Sequence, residues 1–487
     1  MNWFIPEINR SEANVRYVCW VIILLCILCL IGGCTFIVLT TPLDSLYRQG
    51  LAEHYSTIAV TFTLLLFVLA AYAFPIEHQK MKALIWNRWR ARDLSSWQDW
   101  THRHYVLVDS VVLSTYQQLL ELIKSGGDLE AEGVKHSLFS DSFSPPGLGR
   151  FALMCKHLLN DIKSSLEKLN KKEKLLIYLQ LDEFMQRPIF DSANQEASLL
   201  EKRIKRQFET VWKSLGLSID IEIHIVTSGS AMETLWERLD DKNESKYSAL
   251  VITAKYQTAV TQGCDELASA VLLLPDKSIS IVDFSNSVCL YRGMDSTKQN
   301  LPEDIKHLID AGQQPLASID EIWHSGLDEE TGMQLNVIAN ELKIPLNKEH
   351  SPFGIISLNG IVEETTLRKY WYLLALSGLS LKKKEGACLL ISTGSDSEIL
   401  LQIVGNRDEL KKSFIYDRNA IVFPLGSISA SLALFVPFAI SIRGIFPTLG
   451  YLGLFFSMVL GGGGLIAITI FLHQLLCSAI VANKYYQ

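Results

Sequence analysis

Four long runs without a charged side chain, two near each end of the chain, constrain the fold more than any other feature. Residues 18 to 40 read VCWVIILLCILCLIGGCTFIVLT. At about 1.5 Å of rise per residue, a helix of that length crosses a hydrocarbon core of roughly 30 Å. A second run covers 56 to 73, STIAVTFTLLLFVLAAYA, and two more cover 420 to 441 and 449 to 482. The expected architecture is a membrane-anchored α/β protein with four transmembrane helices. An N-terminal hairpin (1–76) and a C-terminal hairpin (420–487) flank a basic juxtamembrane stretch and helical region (77–216) and an α/β domain (217–419). A cleavable leader is not expected, because Thr40, Thr41 and Pro42 lead from the first run into a short loop and the second span.

Basic residues set the orientation, since Lys and Arg close to a span are retained on the cytoplasmic side. Arg10 and Arg16 precede the first span, Lys411, Lys412 and Arg418 precede the third, and Lys484 follows the last. Directly after the second span, FPIEHQKMKALIWNRWRAR carries Lys80, Lys82, Arg88, Arg90 and Arg92 around Trp86 and Trp89. The opposite loops hold only Arg48 and Arg443. Both termini and residues 77 to 419 are therefore expected on one, cytoplasmic, side. The formal net charge of -7 makes the cationic stretch a local feature. Interfacial aromatics and cations facing an anionic leaflet explain it, so lipid is an expected partner and nucleic acid is not.

Within the spans no Asp, Glu, Lys or Arg occurs, which disfavours transport. His473 is the one titratable exception, read as an interfacial side chain. Gly461, Gly462, Gly463 and Gly464 are expected to pack closely against another span. Nine cysteines are dispersed, and Cys26-x-x-Cys29 lacks a second ligand pair, so neither a metal nor another cofactor is expected.

Between the hairpins, residues 93 to 216 read mainly as helices: Trp97, Trp100, Tyr105, Val108, Val112 and Tyr116 recur near helical spacing, and Gly216 ends an amphipathic run after a Ser192 cap. Beyond Gly216 the period changes. SIDIEIHIVT alternates, SALVITA and ASAVLLL are compact apolar strings, and GACLLIST with EILLQIV forms a hairpin about GSDS. Neighbouring strand pairs at 268–274 with 279–284 and at 386–393 with 398–404 suggest two related halves around one core.

The order SALVITA, GCDELASAVLLLPDKSISI, GLDEETGMQLNVIANELKIPL, SPFGIISLNGIVEETTLRKYWYLLALSGLSL and GACLLISTGSDSEILLQIV resembles the thiolase-like, β-ketoacyl-synthase-type fold over about residues 218 to 405. The resemblance implies paired halves, a long buried helix late in the chain and a terminal β-hairpin. Enzymes of that family use a Cys nucleophile and two His residues. Here SLNGIVEET lacks the family's late His, Cys264 falls outside the nucleophile turn, and His324 and His350 are read as lying in connecting sequence. These three are the candidates for residual catalysis, and no catalytic set carries over. Ser230 in TSGSAME is read as a turn residue or helix cap.

The expected function is a non-enzymatic interaction module anchored in a bacterial inner membrane. A further resemblance, to adaptors of type VI secretion, implies a secretion effector or a component of the machine as partner. Two alternatives stay open: a membrane-bound acyl-transfer or lipid-processing enzyme, and an immunity protein against a membrane-active toxin.

Overall fold

The computed structural model describes residues 3, 28, 32, 35, 51–115, 119–125, 138–139, 147–169, 174–181, 195–226, 231–240, 247–256, 266–275, 288–347, 354–359, 366–393, 398–406, 422–445 and 458–485. Two compact units result: Trp97–Lys411 with Met1–Ile5, and Pro6–Ser96 with Lys412–Gln487. In chain order the elements are α1 Leu51–Thr101, β1 His104–Ser114, α2 Leu119–Ser125, α3 Leu148–Asp161, α4 Lys163–Glu167, β2 Leu175–Gln180, α5 Gln195–Ser214, β3 Ile221–Val226, α6 Ala231–Asp240, β4 Ser248–Lys255 and β5 Leu267–Pro275. There follow β6 Val288–Tyr291, β7 Met294–Ser296, α7 Leu301–Asp310, β8 Ile319–Ser325, α8 Glu329–Glu341, β9 Ile355–Ser357, α9 Thr366–Lys383, β10 Ala387–Thr393, β11 Ile399–Asn406, α10 Leu425–Ile445 and α11 Gly463–Tyr485.

All the described strands join one 11-stranded sheet, in the order β3-β2-β4-β5-β1-β6-β11-β10-β8-β9, with β7 paired to β11. The order is the same word read twice. From its outer edge the first half runs β3-β2-β4-β5-β1 and the second runs β9-β8-β10-β11-β6. Hydrogen-bond directions repeat too. β2 is parallel to β3 and β4, as β8 is to β9 and β10, while β4–β5 and β10–β11 are antiparallel. β5–β1 and β11–β6 complete each half antiparallel, and β1 meets β6 antiparallel at the centre. Helices intervene at matching places, α3, α5 and α6 in the first half and α7, α8 and α9 in the second. This doubling is the arrangement that the thiolase-like resemblance implied.

Burial on both faces explains the continuous apolar strings, because a strand covered on both sides cannot alternate with polar residues. In β4, Ala249 and Val251 join one core with Trp371, Leu373 and Leu374 of α9, while Leu250, Ile252 and Ala254 join another with Phe151 of α3 and Phe208 of α5. In β10, Cys388 and Leu390 face the α9 side, and Leu389 and Ile391 face a third core with Ile305 of α7 and Leu335 of α8. α9 is buried all round from Tyr370 to Ser377 and bonds both halves of the sheet, its Tyr372 hydroxyl donating to the Leu267 carbonyl of β5 and its Tyr370 hydroxyl to Gln402 of β11, so it lies between the two halves, whose opposite faces carry the other two cores. Arg150 and Glu266, with fully buried side chains, pair at 3.1 Å, and their remaining atoms bond the Phe139 carbonyl (2.9 Å) and the Leu138 amide (2.8 Å).

The region expected to be helical differs from that expectation. His104–Ser114 is a strand in mid-sheet, and Leu175–Gln180 is another. Tyr105, Val108 and Val112 satisfy helical spacing, but the β-branched run VLVDSVVL packs on both faces of the sheet, and that long-range burial overrides local period. α5 ends as expected, with Gly216 at φ +71°, the left-handed conformation that favours glycine. Ser192 and residues 279–284 lie outside the described residues. β5 pairs instead with β4 and β1.

In the helical unit, two described segments are long and apolar enough to cross a membrane, Val60–Thr101 and Leu460–Tyr485, where four were expected. The first expected run, 18–40, lies outside the described residues except for helical positions 28, 32 and 35. The third corresponds to α10, a 21-residue helix from Leu425 to Ile445, of which Leu425–Pro437 is the apolar part among the residues whose side chains are described. A π-helical turn, Met458–Gly462, leads into α11.

Candidate functional site

Parallel strands of an open α/β sheet present their carboxyl ends as a natural site, because loops there can vary while the sheet holds them in place. In the second half that edge carries His324 and Ser325 of β8, Ser357 of β9, and Ser392 and Thr393 of β10. His324 sits opposite Ile391 and Ser357 in register, so it belongs to the sheet and not to connecting sequence. The available sign was weak: Ile319, Ile322 and Trp323, interrupted by Asp320 and Glu321 and closed by Gly326.

Around His324 the backbone is braced. Leu358 donates its amide to the His324 carbonyl at 2.9 Å. Asn359 accepts from the Gly326 amide (2.7 Å) and donates to the Leu327 carbonyl (2.6 Å), tying the loop after β9 to the turn after β8. That turn needs glycine: Gly326 has φ +78°, and a Cβ there would lie 2.1 Å from the Thr393 hydroxyl oxygen. Asp328 then caps α8 by accepting from the Thr331 amide at 3.0 Å. The imidazole itself is buried, its Nδ1 without a hydrogen-bond partner among the described residues, and burial lowers its pKa from 6.5 to about 4. A neutral ring at a strand mouth can accept or donate one proton, but no carboxylate among the described residues bonds to it.

Cys264 and His350, like Ser230, lie outside the described residues. Cys155, Cys289 and Cys388 are buried thiols, and burial pushes Cys155 and Cys388 upward, away from the thiolate that a nucleophile requires. Glu321, also buried, serves the core: burial raises its pKa, but hydrogen bonds from Lys124 and Trp323 Nε1, both 2.9 Å, bring it below the ordinary range.

A denser polar cluster lies in the helical unit. A Cβ on Gly426 would fall 2.5 Å from the Phe74 backbone, so glycine lets the start of α10 touch α1. The close approach brings Ser427 to Glu77, whose carboxylate accepts from the Ser427 amide (3.0 Å) and hydroxyl. His473 of α11 completes the group, its Nδ1 3.0 Å from both the Glu77 Oε1 and the Ser427 Oγ. On the other edge of the ring, His473 Nε2 lies 3.1 Å from His78 Nδ1, which is also 3.1 Å from the Cys477 sulfur. Phe74 stacks on His473 at 4.5 Å between centroids. His473, read from the sequence as an interfacial side chain, is buried among the helices with contacts at both ring nitrogens. The sequence signal was His473 and Cys477 four apart, which places them on one helix face; the adjacent Glu77 and His78 are almost four hundred positions away, and their approach could not be read.

Of the cationic stretch, Arg88 and Arg92 are exposed and Lys80, Lys82 and Arg90 are half-buried. Trp86 and Trp89 meet the Tyr485 ring edge-on at 4.9 and 5.6 Å, and Tyr485 donates to Asp93 at 2.5 Å, so both indoles also clamp the end of α11. Gly461 and Gly462 face the Phe435 ring, where a Cβ would lie 3.0 and 3.4 Å away; Gly463 and Gly464 have nothing within 4 Å.

No family model matches the chain, and comparison with curated proteins returns no match. Among solved structures, it is similar to the twelfth ketosynthase of the bacillaene polyketide synthase of Bacillus amyloliquefaciens, with 10% identity over 63% of this chain and 74% of that one and a TM-score of 0.40. The ishigamide ketosynthase/chain length factor is 9% identical, covering 63% of this chain and 100% of that one, TM-score 0.43. OleA of Xanthomonas campestris is 10% identical over 62% and 99%, TM-score 0.35. Likeness of this degree brings no chemistry with it.

Proposed function

We propose that this protein is a membrane-anchored interaction module, with the helical unit as anchor and the doubled α/β unit as a non-enzymatic platform that binds another protein. The observation that carries the anchoring is the apolar surface of the helical unit. Leu64, Phe67 and Val68 of α1 and Phe471, Leu472 and Leu475 of α11 are 55–65% exposed. A set of this size is costly in water and favourable in lipid. The non-enzymatic reading rests on the described thiols of the α/β unit, all buried, and on an imidazole to which no carboxylate among the described residues bonds.

The partner class that fits is the one implied by the second resemblance, a type VI secretion effector or a component of the machine in a bacterial inner membrane. Purification of the tagged full chain from detergent, with and without chemical crosslinking, tests this. Stoichiometric recovery of such a protein is the expected result, and its repeated absence counts against the reading. One observation favours acyl transfer instead: His324 is neutral and sits at the strand mouth. An acyl-CoA-dependent activity abolished by thiol alkylation and by His324→Gln would select that second reading.

A further inference from the structure

We infer that His78, His473 and Cys477 form a Zn2+ site in the helical unit, with Glu77 and Ser427 holding the metal-binding rings in place. This departs from the sequence expectation of no metal. Three potential ligand atoms, His78 Nδ1, His473 Nε2 and Cys477 Sγ, all lie within 4.8 Å of one another. In tetrahedral zinc, with bonds of about 2.0–2.1 Å to nitrogen and 2.3 Å to sulfur, neighbouring ligand atoms stand roughly 3.3 Å (N to N) and 3.5 Å (N to S) apart. Here the two edges that meet at His78 Nδ1 are 3.1 Å each and the third, from His473 Nε2 to Cys477 Sγ, is within 4.8 Å, so side-chain rotations that widen the first two edges bring the three atoms around one ion.

The surroundings prepare that geometry. Glu77 accepts the Nδ1 proton of His473, which fixes the tautomer with the Nε2 lone pair directed at His78; this carboxylate–histidine arrangement is how proteins orient ligating imidazoles. Ser427 donates both its amide and its hydroxyl to Glu77, keeping the carboxylate in place. Phe74 stacks on His473 and His78, and the two imidazole planes lie 14° apart. On binding, the Cys477 S–H bond breaks, its proton leaves to solvent and a Zn–S bond forms, while His78 takes the tautomer with its proton on Nε2. The ion's two positive charges are then balanced by the thiolate and the Glu77 carboxylate, so the cluster is neutral, as a site packed among apolar helices requires. Three protein ligands leave a fourth position for water or another donor.

Full-length protein in detergent, stripped with chelator and reloaded with Zn2+, should hold one ion per chain. Cys477→Ser and His473→Gln should lose it, and Glu77→Gln should bind about 10- to 100-fold more weakly, the usual effect of removing a carboxylate behind a ligating His. Co2+ in place of zinc should give a thiolate-to-metal charge-transfer band that vanishes in Cys477→Ser and persists when Cys26 and Cys29 are both replaced by Ser. In the unaltered chain, Zn2+ should slow alkylation of Cys477 at least tenfold, a readout independent of whether any variant folds. Metal retained by Cys477→Ser, a Co2+ spectrum without the sulfur band, or an alkylation rate indifferent to Zn2+ overturns the assignment.

Discussion

Acid should loosen the α/β unit through His324, and the size of the effect follows from its burial. The side chain is 7% exposed, and its pKa falls from the ordinary 6.5 to about 4 because the charged ring cannot be hydrated there. A base with a depressed folded pKa binds its proton more readily when unfolded. Its contribution is therefore intact above pH 6.5 and is lost as the pH falls toward 4. Integrating proton uptake between the two states gives about 2 kcal/mol lost between pH 7 and pH 5 and about 3 kcal/mol by pH 4. Urea unfolding of the full chain in detergent, followed by tryptophan emission, reads this directly, since fully buried Trp323 is the adjacent residue. His324→Gln cannot take up the proton, so its stability should fall by about 2 kcal/mol less than that of the unaltered chain between pH 7 and pH 5. Other histidines titrate in both proteins and cancel in the difference. Equal pH dependence in the two would refute the reasoning, whatever the absolute stability of the variant.

Three further outcomes can be checked. Arg150→Met leaves Glu266 buried without its partner and should cost about 3–5 kcal/mol, while adding Glu266→Leu should recover much of that loss in the same urea assay. Gly326→Ala forces a side chain onto a left-handed backbone and into the Thr393 hydroxyl, so a loss of about 1–3 kcal/mol is expected; a lowered thermal midpoint is the measure, and Thr393→Ala should recover only the steric part. Replacing Lys80, Lys82, Arg88, Arg90 and Arg92 by Gln should weaken or invert the insertion of α1, read by labelling of introduced cysteines on either side of the membrane, and unchanged labelling would remove the topological role.

Much of this was legible in the chain because it depends on near neighbours. An uncharged run of helical length can be stable only in lipid or in a core, and doubly buried strands such as SALVITA and GACLLIST must be apolar throughout, so both announce themselves in one dimension. The amphipathic helix ending at Gly216 and the terminal β10–β11 hairpin were legible for the same reason; a doubling was legible too, but not its extent, because the first half begins at β1 and β2 within the stretch read as helical. What only the tertiary structure decided depends on distance. β1 became a strand because the sheet offered partners on both edges, outweighing a spacing that also suited a helix. His324 acquired its neutral state from burial, which has no local signature in Trp-His-Ser-Gly. The Glu77–His473 pair and the approach of His78 to Cys477 join residues almost four hundred positions apart through one glycine contact, Gly426 on Phe74. Period and charge are properties of a segment, whereas a site is made where separate segments meet.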